Sequence, residues 1–196
     1  MPFYAFNGFV PVVHPASYVH ELAVIIGDVI IHEDCYIGPG AVIRGDWGRI
    51  TLEKGCNVQE NCVVHMFPGK HITMEEGAHV GHGAVVHGAQ LKKNCLIGMN
   101  AVILDGAVVG ENCIVGALSL VKSDEVIPDN HLFVGNPGRV VRELTPDQIE
   151  WKTKGTELYQ ALPKNCYASL LPVTPLHEME AGRPDHTEAY TPWKKG

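Results

Sequence analysis

Aliphatic residues recur in this chain at every sixth position. Val13, Val19, Ile25, Ile31, Ile37 and Ile43 form the first run; Leu52, Val58 and Val64 follow one break, and Met74, Val80 and Val86 follow another. The frame then slips by one and continues through Leu91, Ile97, Ile103, Val109, Val115, Val121, Ile127 and Phe133. Val, Ile, Leu and Met make up 55 of 196 residues, so holding one phase through Ile127 has chance odds on the order of one in ten thousand. A period of six fits neither an amphipathic helix nor a lone alternating strand. It demands an array in which short units bury their faces on neighbouring copies.

A second slot supports the frame. Four residues after the aliphatic comes something small: Ser17, Cys35, Ala41, Cys56, Cys62, Ala78, Ala84, Cys95, Ala101, Ala107, Cys113 or Ser119. Glycine often follows the aliphatic directly, as at Gly38, Gly81, Gly98, Gly110 and Gly116. These features, from Val10 to Phe133, resemble the hexapeptide-repeat family. The resemblance implies an all-β fold: a left-handed parallel β-helix of triangular section, about 18 residues per coil. The aliphatic fills the prism and the small residue takes its crowded corner. Five of six cysteines then point inward as small hydrophobes, with no CxxC pair to suggest a metal or redox role.

The sequence divides into a β-helical domain over 1–135 and a C-terminal helix with an extended tail over 136–196. Thr145-Pro146-Asp147-Gln148 reads as a capped helix start. It predicts a helix from Pro146 to Leu162, interrupted at Gly155. Beyond Pro163 the expectation is an extended tail, surface-packed or partly disordered.

Composition narrows the function. A formal charge of −7 leaves no basic stripe for nucleic acid. The apolar runs are far too short for a membrane span, and MPFYAFNGF lacks the pattern of a signal peptide. The expected location is cytoplasmic.

The breaks in the repeat point to a site. His65 follows Val64 and His87 follows Val86. Three hexads and a four-residue insertion near Phe67–Lys70 separate them, which places both in one column on one side, a coil apart. Adjacent coils stack at about 4.8 Å, close enough for two imidazoles to lean onto one ion. Arg44 falls in the same column, one coil earlier. His82 sits in another slot, on the preceding side, and meets the other two only if prisms pack side by side. A homotrimer would then hold interfacial sites of three histidines with an open position, which suits zinc, and also iron or cobalt. The remaining histidines, His14, His20, His32, His71, His79, His131, His177 and His186, read as ordinary surface residues, His71 and His79 being nearest the cleft.

With those histidines placed, the chain resembles the γ-class carbonic anhydrase-like branch of hexapeptide proteins. The resemblance rests on Arg44-Gly45-Asp46, Asn57-Val58-Gln59-Glu60-Asn61, His65, Gly81-His82-Gly83, His87-Gly88 and Ile97-Gly98-Met99. It implies that Arg44 and Asp46 pair across a trimer interface near the metal. It also implies that Gln59 hydrogen-bonds solvent at the metal, with Glu60 acidic and close by. By slot, Glu60 lies one coil before His82, fitting a supporting role behind a ligand. Within that branch the chain is similar to the phenylacetic-acid-degradation and carnitine-operon hexapeptide proteins. That similarity rests on Pro11-Val12-Val13, Trp47 after the Arg-Gly-Asp triplet, Gly98 to Val102, Asp105 to Val108, Trp151-Lys152, Tyr159-Gln160 and Pro175 to Glu178.

Two departures from the carbonic anhydrases bear on substrate. Trp47 stands where they carry glutamate, and the insertion Met66-Phe67-Pro68-Gly69-Lys70-His71 has no carboxylate to shuttle protons. An apolar mouth suits a larger organic substrate. The first expectation is therefore a metal-dependent hydrolase of acyl-CoA thioesters. Gln59 would orient the nucleophile, Glu60 would serve as base, and Trp47, Phe67, His71 and Tyr159 would line the pocket. Hydration of CO2 to bicarbonate, a metal-free hexapeptide acyltransferase and a non-catalytic trimeric scaffold are the alternatives.

Overall fold

A computed structural model describes residues 3–185 and residue 193. The chain winds into a parallel β-helix with three sides. The first side stacks Val63–His65, Val85–His87, Val102–Ile103 and Leu120–Val121 on the start of strand Val42–Leu52. The second continues from the end of that strand through Ile72–Met74, Gln90–Leu91, Val108–Val109 and Val126–Ile127. The third stacks Tyr18–Val19, Tyr36–Ile37, Asn57–Val58, His79–Val80, Leu96–Ile97, Ile114–Val115 and His131–Gly135, and an antiparallel strand, Gly138–Glu143, closes it. Strands Val24–Ile31 and Val42–Leu52 run around a corner and join the first two sides into one sheet.

The hexad sets this geometry. From Ile25 to Phe133 every repeat aliphatic is at most 1 % exposed, each contributing roughly 1.5–3 kcal/mol by burial. Cys35, Cys56, Cys62, Cys95 and Cys113 are free and buried beside them, while Cys166 is half-buried. Many corners need the left-handed backbone conformation, which Asn tolerates. Asn94, Asn112 and Asn130 take it there with φ of 54°, 57° and 61°. Their amides then bond down the corner, Asn94 to Asn112 at 2.8 Å and Asn112 to Asn130 at 2.9 Å.

The helix departs from expectation. Helix α1 runs Pro146–Ser169 without a break at Gly155, and Pro163 lies inside it, so the segment after Pro163 is helical through Ser169. Thr145 and Gln148 form the capping box, with Pro146 in the first turn. Packing explains the extra length. Lys152, Thr156 and Pro163 are buried against the third side. Tyr167 meets Tyr18 edge-on at 5.3 Å and donates to Ser17 O at 2.8 Å. Those contacts outweigh roughly 1 kcal/mol for an internal glycine and 3 for proline. Among the described residues no helix is long and apolar enough to cross a membrane.

Candidate metal and substrate site

His65 and His87 are register partners on adjacent strands, as the slot arithmetic requires. His65 Nδ1 lies 3.2 Å from His87 Nε2. The other nitrogen of each ring faces a carboxylate: His65 Nε2 is 3.1 Å from Asp46 Oδ1, and His87 Nδ1 is 2.7 Å from Asp105 Oδ2. If each neutral imidazole directs its proton to its carboxylate, two lone pairs are left facing each other. A cation between them would satisfy both. Zinc–imidazole bonds of about 2.0–2.1 Å at tetrahedral angles put ligand nitrogens about 3.3 Å apart, so the pair fits a metal. The carboxylates are the partners that orient metal-binding imidazoles.

Arg44 frames this pair. Its Nη1 bonds Asp46 Oδ2 at 3.0 Å within the same chain, and its Nη2 lies 3.4 Å from His65 Nδ1. Burial and, next, the Arg44 charge hold the His65 pKa below the usual imidazole value. That favours the neutral, ligating form. The Trp47 ring sits 5.0 Å from His65 and the Phe67 ring 5.0 Å from His87, both largely exposed. Together they make an apolar lip. His71 stands on the second side, its Nδ1 accepting from Arg49 N at 3.3 Å.

His82 occupies the corner that follows His79–Val80 on the third side. Its Nδ1 is 2.5 Å from Glu60 Oε2, one coil earlier, and Glu60 Oε1 accepts from Tyr36 OH at 3.1 Å. His82 Nε2 has no partner among the described residues. Beside it lies a cleft of ≈ 320 Å³, lined by Gln59, His79, Met99, Tyr159 and the backbone of Gly81, Gly98 and Gly116. The glycines keep its floor low: a Cβ on Gly98 would come within 2.5 Å of Ala117 N. A larger hollow along Val173–Arg183 holds none of these groups.

Helix α1 roofs the near end of the cleft. Tyr159 packs 5.0 Å from His79 and 6.1 Å from Tyr36. Gln59 is buried, with Nε2 3.0 Å from Asn57 Oδ1 and 2.6 Å from His79 Nε2. Burial, and then the charge of Lys152, lower the His79 pKa to about 3. Burial also lowers Lys152 to about 8, its ammonium donating to Asn94 O and Oδ1.

One chain therefore assembles two clusters. Arg44, Asp46, Trp47, His65, Phe67 and His87 form one on the first side; Gln59, Glu60, His82 and Tyr159 form the other on the third. Among the described residues of a single chain, no three His, Cys, Asp or Glu side chains gather to hold a metal. The sequence reading misses Asp105 and Tyr36, and it places His79 near the cleft without giving it a role. Asp105 sits one coil beyond His87, at the corner that follows Ile103. His79 and Tyr36 fill the slot just before the aliphatic on the side that α1 covers. A polar Asn57 and His79 in a column otherwise holding Tyr18, Tyr36, Leu96, Ile114 and Leu132 was the available signal. His14 and His20 accept from nearby backbone N–H groups and His131 bonds Asp129 O; His186 lies outside the described residues.

The sequence matches the family described as bacterial transferase hexapeptide (six repeats) at residues 11–45 and 88–123. The unmatched stretch between them holds the four-residue insertion and all three candidate ligands. The carnitine operon protein CaiE of Citrobacter koseri is 47% identical over 184 residues, covering 94% of this chain and 93% of that protein. Its counterpart in Escherichia coli O157:H7 is 45% identical, covering 94% of each. Among solved structures, a hexapeptide transferase family protein from Anaplasma phagocytophilum has a TM-score of 0.80 at 30% identity, over 83% of this chain and 96% of that one. A Bacillus cereus protein described as a proposed acetyltransferase has 0.83 at 34%, over 86% and 98%. A repeat that builds the prism, and a likeness to CaiE over nearly the whole length, make this chain a member of the hexapeptide-repeat family in its γ-carbonic anhydrase-like CaiE branch.

Proposed function

We propose that the protein is a metal-dependent hydrolase of acyl-CoA thioesters that works as a homotrimer. The observation that carries this reading is the His65–His87 pair, two imidazole nitrogens 3.2 Å apart with a carboxylate behind each ring. His82 of a neighbouring chain completes the ligand set. Glu60 holds the His82 ring and leaves its Nε2 outward. Zinc, iron or cobalt bound there would polarise a thioester carbonyl and acidify a water.

The chain's own groups do the rest. Asp46 and Asp105 hold both rings in their ligating tautomers. Trp47 and Phe67 shield the mouth from bulk water and accept an apolar acyl group. Gln59 presents its amide to the cleft beside His82 and orients the nucleophilic water. Both Glu60 oxygens are engaged, by Tyr36 and His82, so its part is to hold a ligand rather than to take a proton.

A second reading has an observation of its own. The two solved structures at 30% and 34% identity carry transferase descriptions, and a hexapeptide acyltransferase needs no metal. One experiment separates the two: metal per chain, then hydrolysis of a panel of acyl-CoAs with and without chelator. The hydrolase reading expects about one metal per chain and hydrolysis that chelator abolishes. Acyl transfer that survives chelation would replace it. Metal without thioester hydrolysis would redirect the assay to CO2, and failure there too would leave a scaffold.

A further inference from the structure

Gln59 faces the cleft, but half of its amide is already engaged. We propose that His79 is a positioning residue that holds the Gln59 amide with nitrogen inward and oxygen toward the cleft, and that Thr156 of α1 selects the His79 tautomer that does so. The orientation stands on hydrogen bonds alone; only its purpose, aligning the nucleophilic water, rests on the hydrolase reading.

An amide nitrogen has two N–H donors. Those of Gln59 meet Asn57 Oδ1 at 3.0 Å and His79 Nε2 at 2.6 Å. His79 Nε2 can accept only if the ring proton is on Nδ1. Nδ1 faces Thr156 Oγ1 at 3.3 Å, and the Thr156 hydroxyl hydrogen goes to Lys152 O at 3.4 Å. A backbone carbonyl can only accept, so with the Thr156 hydrogen on Lys152 O the series runs from Lys152 O through Thr156 and His79 to Gln59. The opposite sense would send the Thr156 proton to His79 and set an imidazole N–H against the Gln59 nitrogen. Both amides, Asn57 and Gln59, would then have to turn over.

Burial keeps the series in place. Gln59, His79 and Thr156 are 1 %, 7 % and 2 % exposed, so water does not compete for these bonds. The low His79 pKa keeps the ring neutral through the working range, and an imidazolium there would donate from both nitrogens. What remains for the cleft is Gln59 Oε1, an acceptor. A water that donates its hydrogen to this oxygen keeps a lone pair free for a carbonyl carbon. A misturned amide would donate to that lone pair and block it. Helix α1, outside the repeat, thereby controls an amide inside it.

Nitrogen-15 histidine spectra of the intact protein between pH 5 and 9 test the orientation. His79 is expected as the Nδ1–H tautomer throughout, without titrating; an Nε2–H tautomer or a titrating ring overturns the proposal. Kinetics then test its purpose. His79→Phe should lower kcat about a hundredfold at unchanged KM and metal content, the scale of a misplaced catalytic group. His79→Gln, which restores an acceptor near the Nε2 position, should stay within about tenfold of the wild type. Equal losses in both variants, or full activity in a folded His79→Phe protein, would contradict the role. If His79→Phe does not fold, Thr156→Val decides: it should mix the tautomers and lower kcat, and an unchanged spectrum would refute the selection by Thr156. If the wild type hydrolyses no acyl-CoA, the hydrolase reading falls while the spectrum still decides the orientation.

Discussion

The strands carrying His65 and His87 and the strand leading into His82 obey one hexad, yet their outward side chains live under different conditions. On the first side Arg44, Trp47 and Phe67 flank the histidines, and carboxylates at their backs fix them. On the third side α1 lies over the outward slots. Gln59 and Asn57 are as buried there as the prism interior, and His79 is buried beside them. Among the described residues one buried atom is left without a partner on each side, Asn57 Nδ2 on the third and Asp105 Oδ1 behind His87 on the first, each costing roughly 1–3 kcal/mol. The repeat supplies positions; what covers a position decides whether a polar residue there is a surface group, a ligand or a buried relay.

That contrast can be broken in graded ways. The largest effect should come from His87→Ala: metal lost, activity down by about a thousandfold, corresponding to several kcal/mol of transition-state stabilisation, and an unchanged β-sheet circular dichroism spectrum. Full metal content in that variant would break the first cluster's assignment. Ile97→Ala strikes the interior that both sides share and should cost roughly 2–5 kcal/mol in urea unfolding, with metal content retained below the transition. Asp105→Asn leaves both imidazoles present but loosens one, and should weaken metal affinity about 10–100-fold, read by competition with a chromophoric chelator. The smallest effect separates the sides by pH. Burial, and then the Lys152 charge, hold the His79 pKa in the folded chain down to about 3 against an ordinary imidazole value of 6.5, so the unfolded chain binds more protons between those values. Its contribution is complete above 6.5 and is lost as pH falls toward 3. Wild type should lose about 1.5 kcal/mol more stability than His79→Gln between pH 6.5 and 5. Equal losses would mean that the ring is not held neutral.

The prism was legible in the sequence because one residue in six carries it. The aliphatic column from Ile25 onward and all twelve small-slot residues are buried where the pattern puts them. The His65–His87 adjacency was legible for the same reason, since a coil count survives an insertion if the insertion is recognised. The clusters' supports were harder to see. Asp105 follows the slip of one at His87–Gln90, where counting slots gives no warning of a contact. His79 looked like a surface histidine because a repeat does not say which side a later helix will cover. The helix itself outran its sequence signals: Gly155 read as an interruption and Pro163 as the end, and burial of Thr156 and Pro163 against the third side overrode them.

The central claim is that the two clusters meet between chains. Co-expression of His65→Ala and His82→Ala tests it most directly. Each variant alone should bind no metal. In a mixed trimer, a chain with intact His65 and His87 can meet a neighbour with intact His82, so random mixing should restore metal to about a quarter of the sites, together with chelator-sensitive turnover. Mixed trimers that bind no metal, or either variant binding metal fully by itself, would contradict the account.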